Sequence, residues 1–477
     1  MSVNLKDQIR NYYRAIDAPQ EAIEWAEIVA RPEEDVPETA LQQPHKPPIS
    51  APADSRRRPL AAVAVATAVL VLVGVTALIF RPTGTDSPVG PVATTPPIDS
   101  FSSLSWSRVA HDEAVFGGKG WISSVTAGGP GLVAVGSSDS WSDEGADAAV
   151  WTSIDGTTWS RVPLDESVFG RDQGMNSVVA GGPGLVAVGL DGEYGEGRDA
   201  AIWSSIDGRT WSRVPHEDGV FGGAWIDAVT VGGPGLVAVG GTTRGVDGRD
   251  AVVWTSVDGI AWSRIPHDES IFGGVEDQYM SDVTAGGPGL VAVGTGGGTG
   301  VWDHNTGIQP AVWTSVDGIQ WSRVPNHDVL LGTGGNAAPM LRVTTGGPGL
   351  VAVGGTIGAR TPVWTSPDGF TWTRVPDDET VRGVMFDVIT GESGLKAIGC
   401  ECNSSGGWES SWNPVVWTSL DGFTWTRVPD DDATLDGAEQ LSSLIIHGPL
   451  LIVVGSGEND STTIPYVPAV FVATQED

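Results

Sequence analysis

The sequence predicts an all-β fold: a seven-bladed β-propeller, closed by its own N-terminal outer strand and preceded by one transmembrane helix. Three observations predict it. A glycine- and tryptophan-bearing unit recurs after residue 100, with its first Trp at Trp151, Trp203, Trp254, Trp313, Trp364 and Trp417 and with Phe471 in the last copy. The spacings of 52, 51, 59, 51, 53 and 54 residues match one propeller blade. The composition of 66 Gly and 20 Trp, against 10 Phe and 5 Tyr, indicates short strands joined by tight turns.

The first element, residues 1–31, reads as a short cytoplasmic helical segment. Leu5 to Ile16 is one candidate helix, and a capping pattern at Asp17-Ala18-Pro19-Gln20 opens a second. Ile23, Trp25, Ala26 and Ile28 offer a docking face for a cytoplasmic protein partner, with an inert tail as the other reading. Residues 32–58 are rich in Pro and Glu, which marks a disordered linker. It ends in Arg56-Arg57-Arg58.

Residues 59–80 run LAAVAVATAVLVLVGVTALIF after Pro59, without a charge. At 1.5 Å per residue this crosses a hydrocarbon core of about 30 Å. More than 50 residues precede it, so it reads as a signal-anchor and not a cleaved signal peptide. Three arginines flank it on the N-terminal side and only Arg81 on the other, which places the N-terminus in the cytoplasm and everything beyond outside. Residues 81–100 form a stiff Pro/Thr-rich spacer.

Residues 101–477 are the propeller. GGPGLVAVG occurs at 128–136, 181–189, 232–240, 286–294 and 346–354, with altered copies at 391–399 and 447–455. VWTSxDGxxWSRVP follows each copy but the last. The runs are apolar on both faces, as strands covered on each side by neighbouring blades require. The last copy lacks a fourth strand, and Leu104-Ser105-Trp106-Ser107-Arg108-Val109 is an outer-strand sequence with no blade before it, so the two ends should pair and close the ring.

The stretch Ser153-Ile154-Asp155-Gly156-Thr157-Thr158-Trp159 resembles the Asp-box (BNR) repeat of sialidase-like and sortilin-like propellers, in a variant lacking the residue between Asp and Gly. That resemblance implies a structural turn remote from any ligand. In it Asp155 should bond backbone amides, Gly156 take positive φ and Trp159 pack over the turn, with Arg161 stacking on Trp159. A sialidase needs an arginine clamp and a Tyr nucleophile paired with an acid. Tyr194 beside Glu193 and Glu196, or Tyr279 beside Glu276 and Asp277, could supply the pair, and nothing in the sequence singles out either.

No HExxH, Walker loop, nucleophile elbow or EF-hand loop occurs in the chain. Of the net charge of −33, residues 82–477 carry −32, from 49 acids against 17 bases. That argues against nucleic acid and anionic lipid as partners. Cys400 and Cys402, the only cysteines, read as a loop pair that oxidises.

The expectation is therefore a binding or sensing ectodomain, with a sialidase-like glycoside hydrolase as the alternative. The long loops and the blade crossings share one end. They place there a rim of Asp112, Glu113, Asp165, Glu166, Glu217, Asp218, Asp268 and Glu269, with Trp121, Trp141, Trp225 and Trp302 among them. Either the acids are solvated and the indoles pack between blades, or the rim holds a glycan, a cationic peptide or an envelope protein, with weak Ca2+ binding shared between blades.

Overall fold

The computed structural model describes residues 104–475, apart from 139–144, 193–196, 244–247, 275, 298–308, 326–337, 356–359, 379–380, 403–411, 429–434, 436 and 459–465. The helical segment expected at 1–31, the linker expected at 32–58, the span expected at 59–80 and the spacer expected at 81–100 lie outside the described residues. Among the described residues no helix is long and apolar enough to cross a membrane.

The described strands form seven four-stranded antiparallel sheets, each in simple sequential order except the last. Blades 1 to 6 begin with inner strands Gly120–Gly128, Gln173–Gly181, Ala224–Gly232, Gln278–Gly286, Met340–Gly346 and Val384–Gly391. Blade 7 takes Ala438–His447, Leu450–Gly457 and Val467–Gln475, and its fourth strand is Leu104–Arg108 from the other end of the domain. The closure expected from the missing outer strand is thus present, in a register running from Leu104↔Gln475 to Arg108↔Phe471.

The core lies between blades. The second strands are sealed: Leu185, Val186, Ala187 and Val188 have no exposed surface, as the two-sided apolar pattern requires. Trp151, Trp203, Trp254 and Trp313 are also fully buried. Each donates its indole N–H at 2.7 Å to a carbonyl of the preceding crossing, Val115, Val168, Val220 and Ile271 respectively. The bond satisfies a buried donor and ties each crossing to its blade. In blade 6 Lys396 occupies a sealed position that is Val in blades 1 to 5. Burial pushes its ammonium down to about 8, and its Nζ reaches Ser393 Oγ at 3.1 Å. Cys400 is disulfide-bonded, in accord with the expected oxidised pair.

The turns after the third strands behave as their residues dictate. Asp155 Oδ1 accepts from the amides of Thr157 and Thr158 at 2.8 and 2.7 Å, Gly156 has φ +79°, and Trp159 Nε1 donates to Gly156 O at 2.9 Å. The two amides hold the Asp155 carboxyl down at about 2. The arginine stack differs from the expectation. Arg161 lies over Trp151 at 5.9 Å, because those two residues are direct cross-strand partners while Trp159 is turned onto its own Gly156.

The Gly-Gly-Pro-Gly turns and these Asp-Gly turns share one end. A Cβ placed on Gly129 would lie 2.9 Å from the Asp207 carbonyl oxygen of the next blade, so the two turn families pack together around the ring. The strand Leu104–Arg108 also begins at that end, since it runs antiparallel to Val467–Gln475. The crossings occupy the other.

Candidate functional site in the central channel

Among the described residues four crossings contain a single helical turn: Glu113–Phe116, Glu166–Phe169, Asp218–Phe221 and Glu269–Phe272. Asp112, Asp165 and Asp268 cap them, accepting from the amides of Ala114, Ser167 and Ser270 at 2.9 to 3.0 Å. Glu217 holds the same position without a side-chain cap bond. Glu113, Asp218 and Glu269 accept hydrogen bonds from His111, His216 and His267 at 3.1, 2.9 and 3.1 Å, and Glu166 stands in the first turn of its helix. All eight rim acids are exposed. Several therefore have local structural work that the sequence pattern did not reveal.

The aromatic candidates divide. Trp141 and Trp302 lie outside the described residues, as does Tyr194. Trp121 is 38% exposed on the inner strand of blade 1. Trp225, at the equivalent place in blade 3, is half-buried and donates its Nε1–H to Asp227 Oδ2 at 2.8 Å.

Asp227 introduces a site the sequence reading missed. Every inner strand carries a β-bulge at the same place, with register shifts at Ile122/Ser124, Met175/Ser177, Ile226/Ala228, Met280/Asp282, Met340/Arg342, Met385/Asp387 and Leu441/Ser443. Inner strands line the axis of a propeller, and a bulge re-aims side chains there. In blades 1, 2 and 7 the bulge residues are Ser or Asn. In blades 3 to 6 they include Asp227, Asp282, Arg342 and Asp387. Arg342 Nε lies 4.0 Å from Asp387 Oδ1, and its charge also acts on Asp227 and Asp282. Residues of four blades influence one another in this way because they converge on one axis.

The electrostatics are those of an enclosed but wet site. Burial pushes the Asp227 carboxyl up to about 6, against the Trp225 indole N–H and the guanidinium groups of Arg342 and Arg249. Asp282 is also pushed up to about 6, by burial and by the neighbouring Asp387, with Arg342 and the Val343 amide opposing. Burial raises Asp387 too, offset first by Arg342 and then by the Leu444 and Val388 amides. Water still reaches them: the side chains of Asp387 and Arg342 are 14% and 31% exposed.

Two of these acids have a structural duty. Asp282 Oδ2 accepts from Val343 N at 2.8 Å and Asp387 Oδ2 from Leu444 N at 3.1 Å, each stapling its blade to the next. Ser124 does the same to Val178. Among the described residues Asp227 makes no such bond to the neighbouring blade; its carboxylate is held by Trp225 on its own strand.

Beside it stands a second polar group. Arg249 covers Trp225 at 5.5 Å from the ring centre and its Nη1 lies 3.9 Å from the buried Asp277 carboxylate. Tyr279 packs 6.1 Å from Trp225, centre to centre, and burial pushes its phenol up to about 12. The two groups act on one another: Arg249 lowers the Asp227 carboxyl, and the charges of Asp227, Arg249 and Asp277 all reach the Tyr279 phenol. The signal was available in the repeats. Aligning the copies shows a charge at one otherwise small column in YMSDVTAGG, MLRVTTGG and MFDVITGE, with Asp227 of WIDAVTVGG one position earlier, on the other residue of its bulge.

The fold and channel define a seven-bladed β-propeller with a polar axis. No protein-family model and no curated protein matches the chain. Among solved structures it is similar to Trypanosoma rangeli sialidase in complex with sialic acid, at 15% identity and a TM-score of 0.37, covering 77% of this chain and 58% of the sialidase. It is also similar to a thermostable family-43 glycoside hydrolase, at 14% identity and a TM-score of 0.31, covering 60% of this chain and 96% of that one. A third is Pyrococcus horikoshii acylaminoacyl peptidase, at 8% identity and a TM-score of 0.40, covering 77% of this chain and 54% of that one. These likenesses concern the fold and assign no activity.

Proposed function

We propose that the chain is a membrane-anchored, extracytoplasmic propeller that binds or senses a hydroxyl-rich ligand, a glycan of the envelope or surroundings, in its central channel. One observation carries this reading: Asp227 is an inner-strand carboxylate, raised by burial to about 6, that is held by the Trp225 indole and not by an amide of the next blade. Perturbed carboxylates in an enclosed polar space are the mark of a binding or reacting site. Carboxylates and arginines pair with sugar hydroxyls.

The Ser-x-Asp-Gly-x-x-Trp turns have the internal bonding that the Asp-box resemblance implies for a structural element, which supports a ligand site elsewhere.

The second reading, a sialidase-like glycoside hydrolase, draws on Tyr279 lying near Asp277, Asp227 and Arg249. A phenol pushed up to about 12 is harder to ionise than a free one, the opposite of an activated nucleophile. The test is a glycan-array screen of the purified full-length chain, with turnover of fluorogenic sialosides and common glycosides measured in parallel. Saturable binding without turnover is the expected result. Robust turnover abolished by Tyr279→Phe would replace this reading with the hydrolase.

A further inference from the structure

Three crossings carry a His two residues before an acid, and two of them add a third donor. His267 Nε2 lies 3.1 Å from Glu269 Oε2 and 4.0 Å from Asp250 Oδ2. All three donor atoms fall within 4.8 Å of one another. In the preceding blade His216 Nε2 lies 2.9 Å from Asp218 Oδ1 and 3.6 Å from Asp199 Oδ2. The third carboxylate comes each time from four residues before the buried third-strand Trp, Asp199 before Trp203 and Asp250 before Trp254. At His111 the corresponding residue, four before Phe471, is Val467, and the cluster stops at the His–Glu pair.

We propose that the Asp250–His267–Glu269 cluster binds a divalent transition-metal ion of the zinc class, and that Asp199–His216–Asp218, a looser set in which each carboxylate is near the imidazole, binds a second once the exposed Asp218 closes. Zinc bonds to nitrogen and oxygen of about 2.0–2.2 Å place neighbouring donors roughly 3.3 Å apart in a tetrahedral site. The observed separations already bracket that value, and water supplies the fourth position. One donor of each set is fixed by its surroundings. Asp199 Oδ1 accepts from Gly223 N at 2.8 Å, leaving Oδ2 toward the imidazole. Asp250 is pinned at the strand entrance, its amide donating to Thr242 Oγ1 at 2.9 Å. The acids of the helical turns are free to close: Asp218 and Glu269 are 98% and 73% exposed.

The donor set decides the ion. An imidazole nitrogen with two carboxylates suits zinc and its neighbours, whereas calcium takes six to eight oxygens and no single cluster offers them. Arg264 lies close enough to Asp250 to feel its charge, which further disfavours a hard ion held by charge alone. These sites are local and histidine-dependent, and so distinct from a calcium rim shared between blades.

The experiment is calorimetric titration of the metal-free full-length chain with zinc chloride and then calcium chloride, each variant being checked by its melting curve. The expected result is one zinc equivalent per cluster at micromolar affinity, with His267→Ala removing one, His216→Ala the other and His111→Ala neither. Calcium at millimolar concentration leaves the zinc isotherm unchanged. If His267→Ala melts abnormally, Glu269→Gln tests the same site and should weaken its zinc affinity at least about tenfold. Absence of saturable zinc uptake, or uptake unchanged in both histidine variants, overturns the proposal.

Discussion

Deleting residues 101–110 from the 101–477 domain is expected to lower its melting temperature by on the order of 10 °C. Among the described residues the strand Leu104–Arg108 is the outer strand of blade 7, and its loss opens Phe471–Gln475 as an unpaired edge. Leu104 and Trp106 leave the cluster they pack against, formed by Leu441, Val453, Ala469, Phe471 and Ala473. Arg108 leaves the Phe471 ring, 5.9 Å away, and the Glu458 carbonyl, to which it donates at 2.9 Å. Two apolar side chains at about 1.5–3 kcal/mol each, with the lost ladder, set that scale. Differential scanning calorimetry of the two proteins measures it. The truncated protein should also self-associate, since the new edge is a template for another chain. An unchanged melting temperature would refute closure by this strand.

Arg342→Met is expected to destabilise the protein at pH 7.5 by about 3 kcal/mol, the lower end of the range for a broken buried pair because water reaches the channel. Arg342 is the charge that holds Asp282 and Asp387 down most strongly and contributes to Asp227. Without it three acids face one another with only Arg249 near. Their folded-state values, already raised from the ordinary carboxylate range to about 6 for Asp227 and Asp282, rise further. A raised carboxyl favours folding when protonated, so the penalty is absent below the unfolded value and grows as pH climbs through about 6 and beyond. Urea unfolding of both proteins should therefore show a small difference at pH 4.5 and the full one at pH 7.5. A difference independent of pH would mean that Arg342 acts through packing alone.

Much of the architecture was legible because the repeat encodes it redundantly. The period, the two-sided apolar second strands such as Leu185 to Val188, the Asp155-Gly156 turn and the orphan outer strand at Leu104 each stand alone as signals. They all indicate the same ring. The helical turns at the crossings were less legible, because four residues such as Glu113 to Phe116 are too few to show helical periodicity. Their acids looked like a free rim, while Asp112, Asp165 and Asp268 are caps.

The channel was hidden for a different reason. Asp227, Asp282, Arg342 and Asp387 lie more than a hundred residues apart from first to last, each a single exception within an ordinary strand. Only the bulge common to all seven inner strands turns them to one axis. Which tryptophan Arg161 would meet was likewise a matter of register: Trp151 is its cross-strand partner, and a two-residue spacing within one strand pointed to Trp159 instead.

The measurement that bears most directly on the channel as the seat of function compares two variants for binding of a glycan found on the array. One is Asp227→Asn, which keeps an acceptor for the Trp225 indole and removes the charge. The other neutralises Asp112, Glu113, Asp268 and Glu269 together at the rim. Loss of binding in the channel variant, with the rim variant close to wild type and both melting normally, is the result expected here. Full binding by Asp227→Asn with binding lost in the rim variant would contradict it and return the site to the crossings.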